Sequence, residues 1–136
     1  RSLENANIIH SRDKELSSVK SVLIVSRDMS NIADIQNNLA KLECKTSVCE
    51  NPFSVDEIVG RIHPDIVLID SSEGFLNSIN VALRLLKYRD SKEILVLGAF
   101  SFELSIDQKL KVKNAMNGFL SLPINEEKLR YFIDSV

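Results

Sequence analysis

Apolar residues along this chain fall into two alternating patterns: short unbroken runs, and wider stripes at three- and four-residue steps. Ser21-Val22-Leu23-Ile24-Val25, Pro64-Asp65-Ile66-Val67-Leu68-Ile69-Asp70 and Ile94-Leu95-Val96-Leu97 are runs of the first kind. Unbroken and rich in β-branched residues, they predict strands covered on both faces, as in a parallel sheet. Lys45 to Glu50 and Gly118 to Leu122 predict two further short strands, the second stopped by Pro123. Between the runs, Ile32, Ile35, Leu39 and Leu42 mark one amphipathic helix, and Val55, Ile58, Val59 and Ile62 a second. Leu76, Ile79, Leu83 and Leu86 predict a third, and Leu129, Phe132, Ile133 and Val136 a last one. A further helix between about Leu104 and Met116 has a less regular stripe and carries Lys109, Lys111 and Lys113 on its surface. Asp28 or Ser30, Asn51 followed by Pro52, and Asn125 supply N-cap chemistry.

Five strands alternating with five helices call for an α/β fold, because each crossover helix must return the chain to begin the next strand in the same direction. A flavodoxin-like, doubly wound five-stranded parallel sheet in the order 2-1-3-4-5 is the economical solution. It sets the carboxyl ends of strands one and three side by side at the switch point, where ligands bind in such sheets. Ser26-Arg27-Asp28 is then expected to face Asp70. Residues 1–20, polar and mixed in charge, are expected to form a linker or an appended helix with Ile9, Leu16 and Val19 on one face. Residues 21–136 form the single domain.

Composition narrows the function classes. Seventeen basic and 19 acidic residues give a net charge of −2, so no global field draws the domain to nucleic acid. No apolar run approaches the roughly 18 residues of a membrane span. Cys44 and Cys49 lack metal-ligand spacing and are expected to be reduced thiols of a cytoplasmic protein. His10 and His63 stand without a second ligand, and Ser71 and Ser72 without a histidine partner. Neither GxGxxG nor GxxxxGK[ST] occurs, which disfavours a nucleotide or flavin carrier on the same scaffold.

Four landmarks, in order and at matching intervals, carry a resemblance: Val22-Leu23-Ile24-Val25 before a polar triplet, Pro64 to Asp70, Ile94-Leu95-Val96-Leu97-Gly98-Ala99, and Gly118-Phe119-Leu120-Ser121-Leu122-Pro123. Over Val22 to Val136 the chain resembles the receiver domain of bacterial response regulators. The resemblance implies a module that accepts a phosphoryl group on an aspartate from a histidine kinase, with magnesium, and then changes its contacts with partners. Asp70 matches the phosphoacceptor. The acid pair that holds magnesium in the family is matched by Ser26 and Arg27, which leaves Asp70 and Asp28 as the metal ligands to be considered. Gly98 stands for the family's threonine or serine, Leu122 for its lysine, and Phe119 for its switch aromatic. The loop after Asp70 is about two residues short and lacks the family's methionine-proline pair, which changes the setting of the backbone at Ser72.

Phosphoryl transfer to a carboxylate depends on cations and donors placed against the developing charge. With acid pair, hydroxyl and lysine replaced, magnesium is expected to bind weakly or not at all. Arg27 is expected to pair with Asp70 in place of the metal. The reading is therefore an atypical receiver, or pseudo-receiver, without enzymatic activity, acting through phosphorylation-independent protein contacts. A homodimer through the fourth and fifth helices is expected, with a histidine kinase or an attached output domain as other partners. The alternative is a conventional phosphoacceptor using Asp70 as nucleophile and Asp28 as a magnesium ligand.

Overall fold

The computed structural model describes residues 19–72 and 74–136; the linker or helix expected over residues 1–20 lies, up to residue 18, outside the described residues. Five strands, β1 (Ser21–Val25), β2 (Lys45–Cys49), β3 (Ile66–Asp70), β4 (Leu95–Phe100) and β5 (Gly118–Ser121), form one parallel sheet in the order β2-β1-β3-β4-β5. This is the flavodoxin-like order that the alternation of runs and stripes predicts. The helices are α1 (Met29–Lys41), α2 (Val55–Ile62), α3 (Phe75–Arg84), α4 (Leu86–Asp90), α5 (Ile106–Ala115) and α6 (Glu126–Asp134), with a 3-10 turn at Pro52–Ser54 leading into α2.

Strand alternation sorts the core into two layers. Val22, Ile24, Ile66, Leu68, Leu97, Ala99 and Leu120 pack against Ile32, Ile35 and Leu39 of α1 and Leu129 and Ile133 of α6. Leu23, Val25, Val67, Ile69, Val96 and Phe100 face Val55 and Val59 of α2, Ile79, Ala82 and Leu85 around α3, and Val112 and Ala115 of α5. Each fully buried Leu, Ile or Phe contributes roughly 1.5–3 kcal/mol, and both layers are continuous from one sheet edge to the other.

Helix starts follow the local chemistry. Asp28 Oδ1 accepts from Asn31 N–H at 3.0 Å, and Asn125 Oδ1 from Lys128 N–H at 3.1 Å. Ser105 and Gln108 form a reciprocal capping box that opens α5. The third crossover, from β3 to β4, departs from expectation. It is two helices rather than one, broken at Leu85, whose side chain is fully buried. The expected stripe of Leu76, Ile79, Leu83 and Leu86 is rotated: Leu76 and Leu83 are exposed, while Ser78, Ile79, Val81 and Ala82 face the core. The buried face thus combines the small Ser78 and Ala82 with Ile79 and Val81. Ile62, also expected inside, is exposed at the end of α2.

A candidate polar site at the carboxyl rim

Asp70 ends β3, half-buried, beside the end of β1. Its carboxylate receives three donors. The Ser26 hydroxyl donates to Oδ2 at 2.6 Å, the Asn31 side-chain amide to the same oxygen at 3.1 Å, and the Ser72 backbone N–H to Oδ1 at 3.0 Å. Ser26 is itself buried, and its Oγ accepts from Asp28 N–H at 3.1 Å. One hydroxyl thus ties the β1–α1 turn to the end of β3. Hydrogen bonds to an ionised acceptor are the stronger kind, about 1.5–3 kcal/mol each against a lost partner. The cavity beside the carboxylate measures about 40 Å³, with Ser26, Arg27, Asp70 and Ser72 in its wall, which is water-sized space.

The expected Arg27–Asp70 pair is not formed. Arg27 is exposed, and its Nε donates to the Glu50 carbonyl at 3.0 Å; among the described residues the ion pair present is Arg89–Asp90. Strand parity explains the correction. Ser26 continues the Val22, Ile24 side of β1, the side on which Asp70 follows Ile66 and Leu68, whereas Arg27 continues Leu23 and Val25 onto the opposite layer. Asn31 takes the place that was expected of Arg27. It stands in the first turn of α1, three residues after its cap, and sequence reasoning missed it because a first-turn amide ordinarily faces solvent.

The other positions are also accounted for. Gly98, paired with Ile69 across the sheet, offers no hydroxyl. A Cβ at Gly98 would lie 2.6 Å from the Phe100 ring and 2.8 Å from Met116 Sδ, so the space beside this glycine belongs to a buried phenyl ring. Around Phe100 stand Phe75 at 5.9 Å, Phe102 at 5.6 Å and Phe119 at 6.1 Å between centroids. Phe119 is half-buried in this cluster, with Lys128 Nζ 4.6 Å from its ring centre. Leu122 packs on the layer of α1 and α6, and its N–H donates to the Phe100 carbonyl at 2.8 Å.

A magnesium ion, which the resemblance implies beside Asp70, would have the carboxylates of Asp70 and Asp28 as its protein ligands. Magnesium takes near-octahedral oxygen coordination and is usually anchored by one or two carboxylates. Both oxygens of Asp70 already accept from protein donors, and Asp28 uses Oδ1 to cap α1. Among the described residues no three His, Cys, Asp or Glu side chains gather as a metal site. Burial pushes both thiols up from their ordinary value, that of Cys44 with help from the Asp65 charge. No helix among the described residues is long and apolar enough to cross a membrane.

No family profile matches the chain, and no curated protein sequence matches it. Solved structures do. The signal receiver domain of a modulated diguanylate cyclase from Desulfovibrio desulfuricans G20 is similar at 22% identity and a TM-score of 0.71, over 86% of this chain and 92% of that one. The chemotaxis response regulator CheY4 of Vibrio cholerae is similar at 16% identity and a TM-score of 0.70, over 86% and 98%. The receiver domain of the Saccharomyces cerevisiae response regulator Ssk1, solved together with the histidine phosphotransfer protein Ypd1, belongs to a structure similar at 18% identity and a TM-score of 0.69, over 85% and 86%. At these identities the likeness establishes the fold: this chain has the five-stranded architecture of response-regulator receiver domains.

Proposed function

We infer that the chain is a receiver-type signalling domain of a two-component system, an atypical member that works by protein–protein contact without phosphorylation of Asp70. The observation that carries this reading is the carboxylate held by three protein donors. Ser26, Asn31 and the Ser72 amide hold Asp70, while leucine and glycine occupy positions where the family places a cation and a hydroxyl. An incoming dianionic phosphoryl group would meet an anion with no side-chain cation in contact among the described residues, and phosphoryl transfer depends on such cations. The domain is not an enzyme, and weak or absent magnesium binding belongs to the same reading. Incubation with a small phosphodonor and magnesium, followed by intact mass measurement, tests it. The expected spectrum is unmodified protein; a phosphoryl adduct that disappears in Asp70→Asn overturns the reading and favours the conventional phosphoacceptor, which the partial exposure of Asp70 supports.

The partner surface follows from α5 and α6. Ile106 is 80% exposed, Leu110 55% and Tyr131 70%, so α5 carries apolar residues on its outer face as well as its inner one. A homodimer through this face, a histidine kinase and an attached output domain are the partner classes that fit; nucleic acid and membrane are not among them. Light scattering is expected to give a dimer that Ile106→Glu converts to monomer. A monomer in the unsubstituted chain would remove the dimer from the reading.

A further inference from the structure

The cation that fails to reach Asp70 has a different setting. Arg27 and Arg84 line one cavity of about 290 Å³ together with Asn77, Asn80, Pro52, Phe53 and Val81. Both guanidiniums are held by backbone carbonyls: Arg27 Nε donates to Glu50 at 3.0 Å, and Arg84 Nη1 to Phe53 at 3.1 Å. Arg84 also stacks over the Phe53 ring, 5.4 Å from its centre. Neither arginine is in an ion pair among the described residues. Fixing each fork through one nitrogen lowers the ordering cost of binding and leaves other N–H groups available to a ligand.

Four of the lining residues form one stripe of α3. Asn77, Asn80, Val81 and Arg84 are spaced as i, i+3, i+4 and i+7, so they share a helix face. That stripe holds two amides and a guanidinium and no acid. Pro52, Phe53 and Val81 supply an apolar side. The cavity is near the lower end of the roughly 300–1,000 Å³ range of small-molecule sites, more than a lone oxyanion needs.

We propose that this cleft is a binding site for a small phosphomonoester, whose dianionic head is held between Arg27 and Arg84 and whose organic part lies against Phe53 and Pro52. Two guanidiniums match a dianion in charge, and the planar fork matches phosphate oxygens two at a time. The cleft adjoins the Asp70 cavity, sharing Arg27, Pro52, Asn77 and Val81 with it, but Asp70 is not in its wall; its ligand binds intact and no phosphoryl group is transferred. It gives the domain an input that does not depend on Asp70, and its failure would leave the mass measurement above unaffected.

Phenyl phosphate is the probe, titrated into the full chain at constant ionic strength and followed by amide and guanidinium NMR. Saturable shifts are expected at Arg27 Nε–H, the side-chain amides of Asn77 and Asn80, and Arg84, with inorganic phosphate binding more weakly. Arg27→Ala and Arg84→Ala should each weaken binding by roughly tenfold or more, the loss of one charge-assisted contact. Asn80→Asp, an isosteric change at an exposed position, should weaken it too, with the amide spectrum elsewhere unchanged. Shifts that rise without saturation, binding equal to that of inorganic phosphate, or binding unchanged in Asn80→Asp and Arg27→Ala would each overturn the proposal.

Discussion

The two faces of the sheet end differently at the carboxyl rim. On the face of α1 and α6, Ser26, Asn31 and Asp70 close on one another in a hydrogen-bonded knot. On the face of α2, α3 and α5, a phenyl ring from Phe100 fills the space beside Gly98 and is surrounded by Phe75, Phe102 and Phe119. One end is satisfied by polarity and the other by packing. The contrast explains why glycine stands at 98: a side chain there and the ring of Phe100 cannot share the space.

The largest expected effect breaks the packed end. Phe100→Ala removes a fully buried ring from the centre of an aromatic cluster and should cost about 3–5 kcal/mol in urea unfolding. Gly98→Thr, which supplies the hydroxyl that the family resemblance leads one to expect, should cost about 1–3 kcal/mol by overpacking against Phe100 and Met116. In a Phe100→Ala background its cost should shrink, because the cavity accepts the new side chain; a double-mutant cycle reads the coupling. An additive result would separate Gly98 from Phe100 and remove the explanation for the glycine.

The polar end should be less costly to break. Asp70→Ala withdraws the acceptor of three hydrogen bonds and leaves the buried Ser26 hydroxyl without its partner, for about 1–3 kcal/mol. Amide exchange at Ser72 should accelerate in this variant, since its N–H loses the carboxylate that holds it. Protection at Ser72 equal to that of the unsubstituted chain would mean that the knot does not organise the loop after β3.

Much of this comparison was legible in the sequence, and the part that was not has a common cause. Short runs such as Ile66 to Ile69 are diagnostic because a strand buried on both faces needs no alternation, and they fixed the sheet and the place of Asp70. Stripes were less secure. In α3 Leu76 and Leu83 lie outside while Ser78 and Ala82 lie inside with Ile79 and Val81, so a count of large apolar residues at helical spacing picks the wrong face. Charge complementarity alone pairs Arg27 with Asp70, but strand parity puts positions 26 and 27 on opposite layers and overrides it. Phe100 escaped notice for a related reason: a lost hydroxyl at Gly98 can be read from one position, whereas the ring that replaces it comes from two residues further on.

A smaller effect distinguishes the layers through their thiols. Cys49 is buried among the residues facing α2, and Cys44 is partly buried on the α1 layer. Burial raises both above the ordinary thiol value of 9.0, so the folded chain keeps protons that the unfolded chain releases. This contribution to stability is fully present below pH 9.0 and is lost as pH rises through the folded-state values. Cys49→Ala should therefore flatten the alkaline decline of the urea midpoint, and iodoacetamide should label Cys44 faster than Cys49.

The smallest expected effect sharpens the comparison most. Were Arg27 a stand-in for a metal, Arg27→Ala would loosen the loop after β3 and cost as much as removing Asp70. With its guanidinium on the Glu50 carbonyl and its side chain in solvent, the substitution should change stability by no more than about 0.5 kcal/mol. Exchange at Ser72 should be unaltered, while exchange near Glu50 and Asn51 rises slightly as the bridge between the β1 and β2 ends is lost. Rapid exchange at Ser72 in Arg27→Ala would reunite positions 26 and 27, which parity separates, and the knot would then have to include the cation.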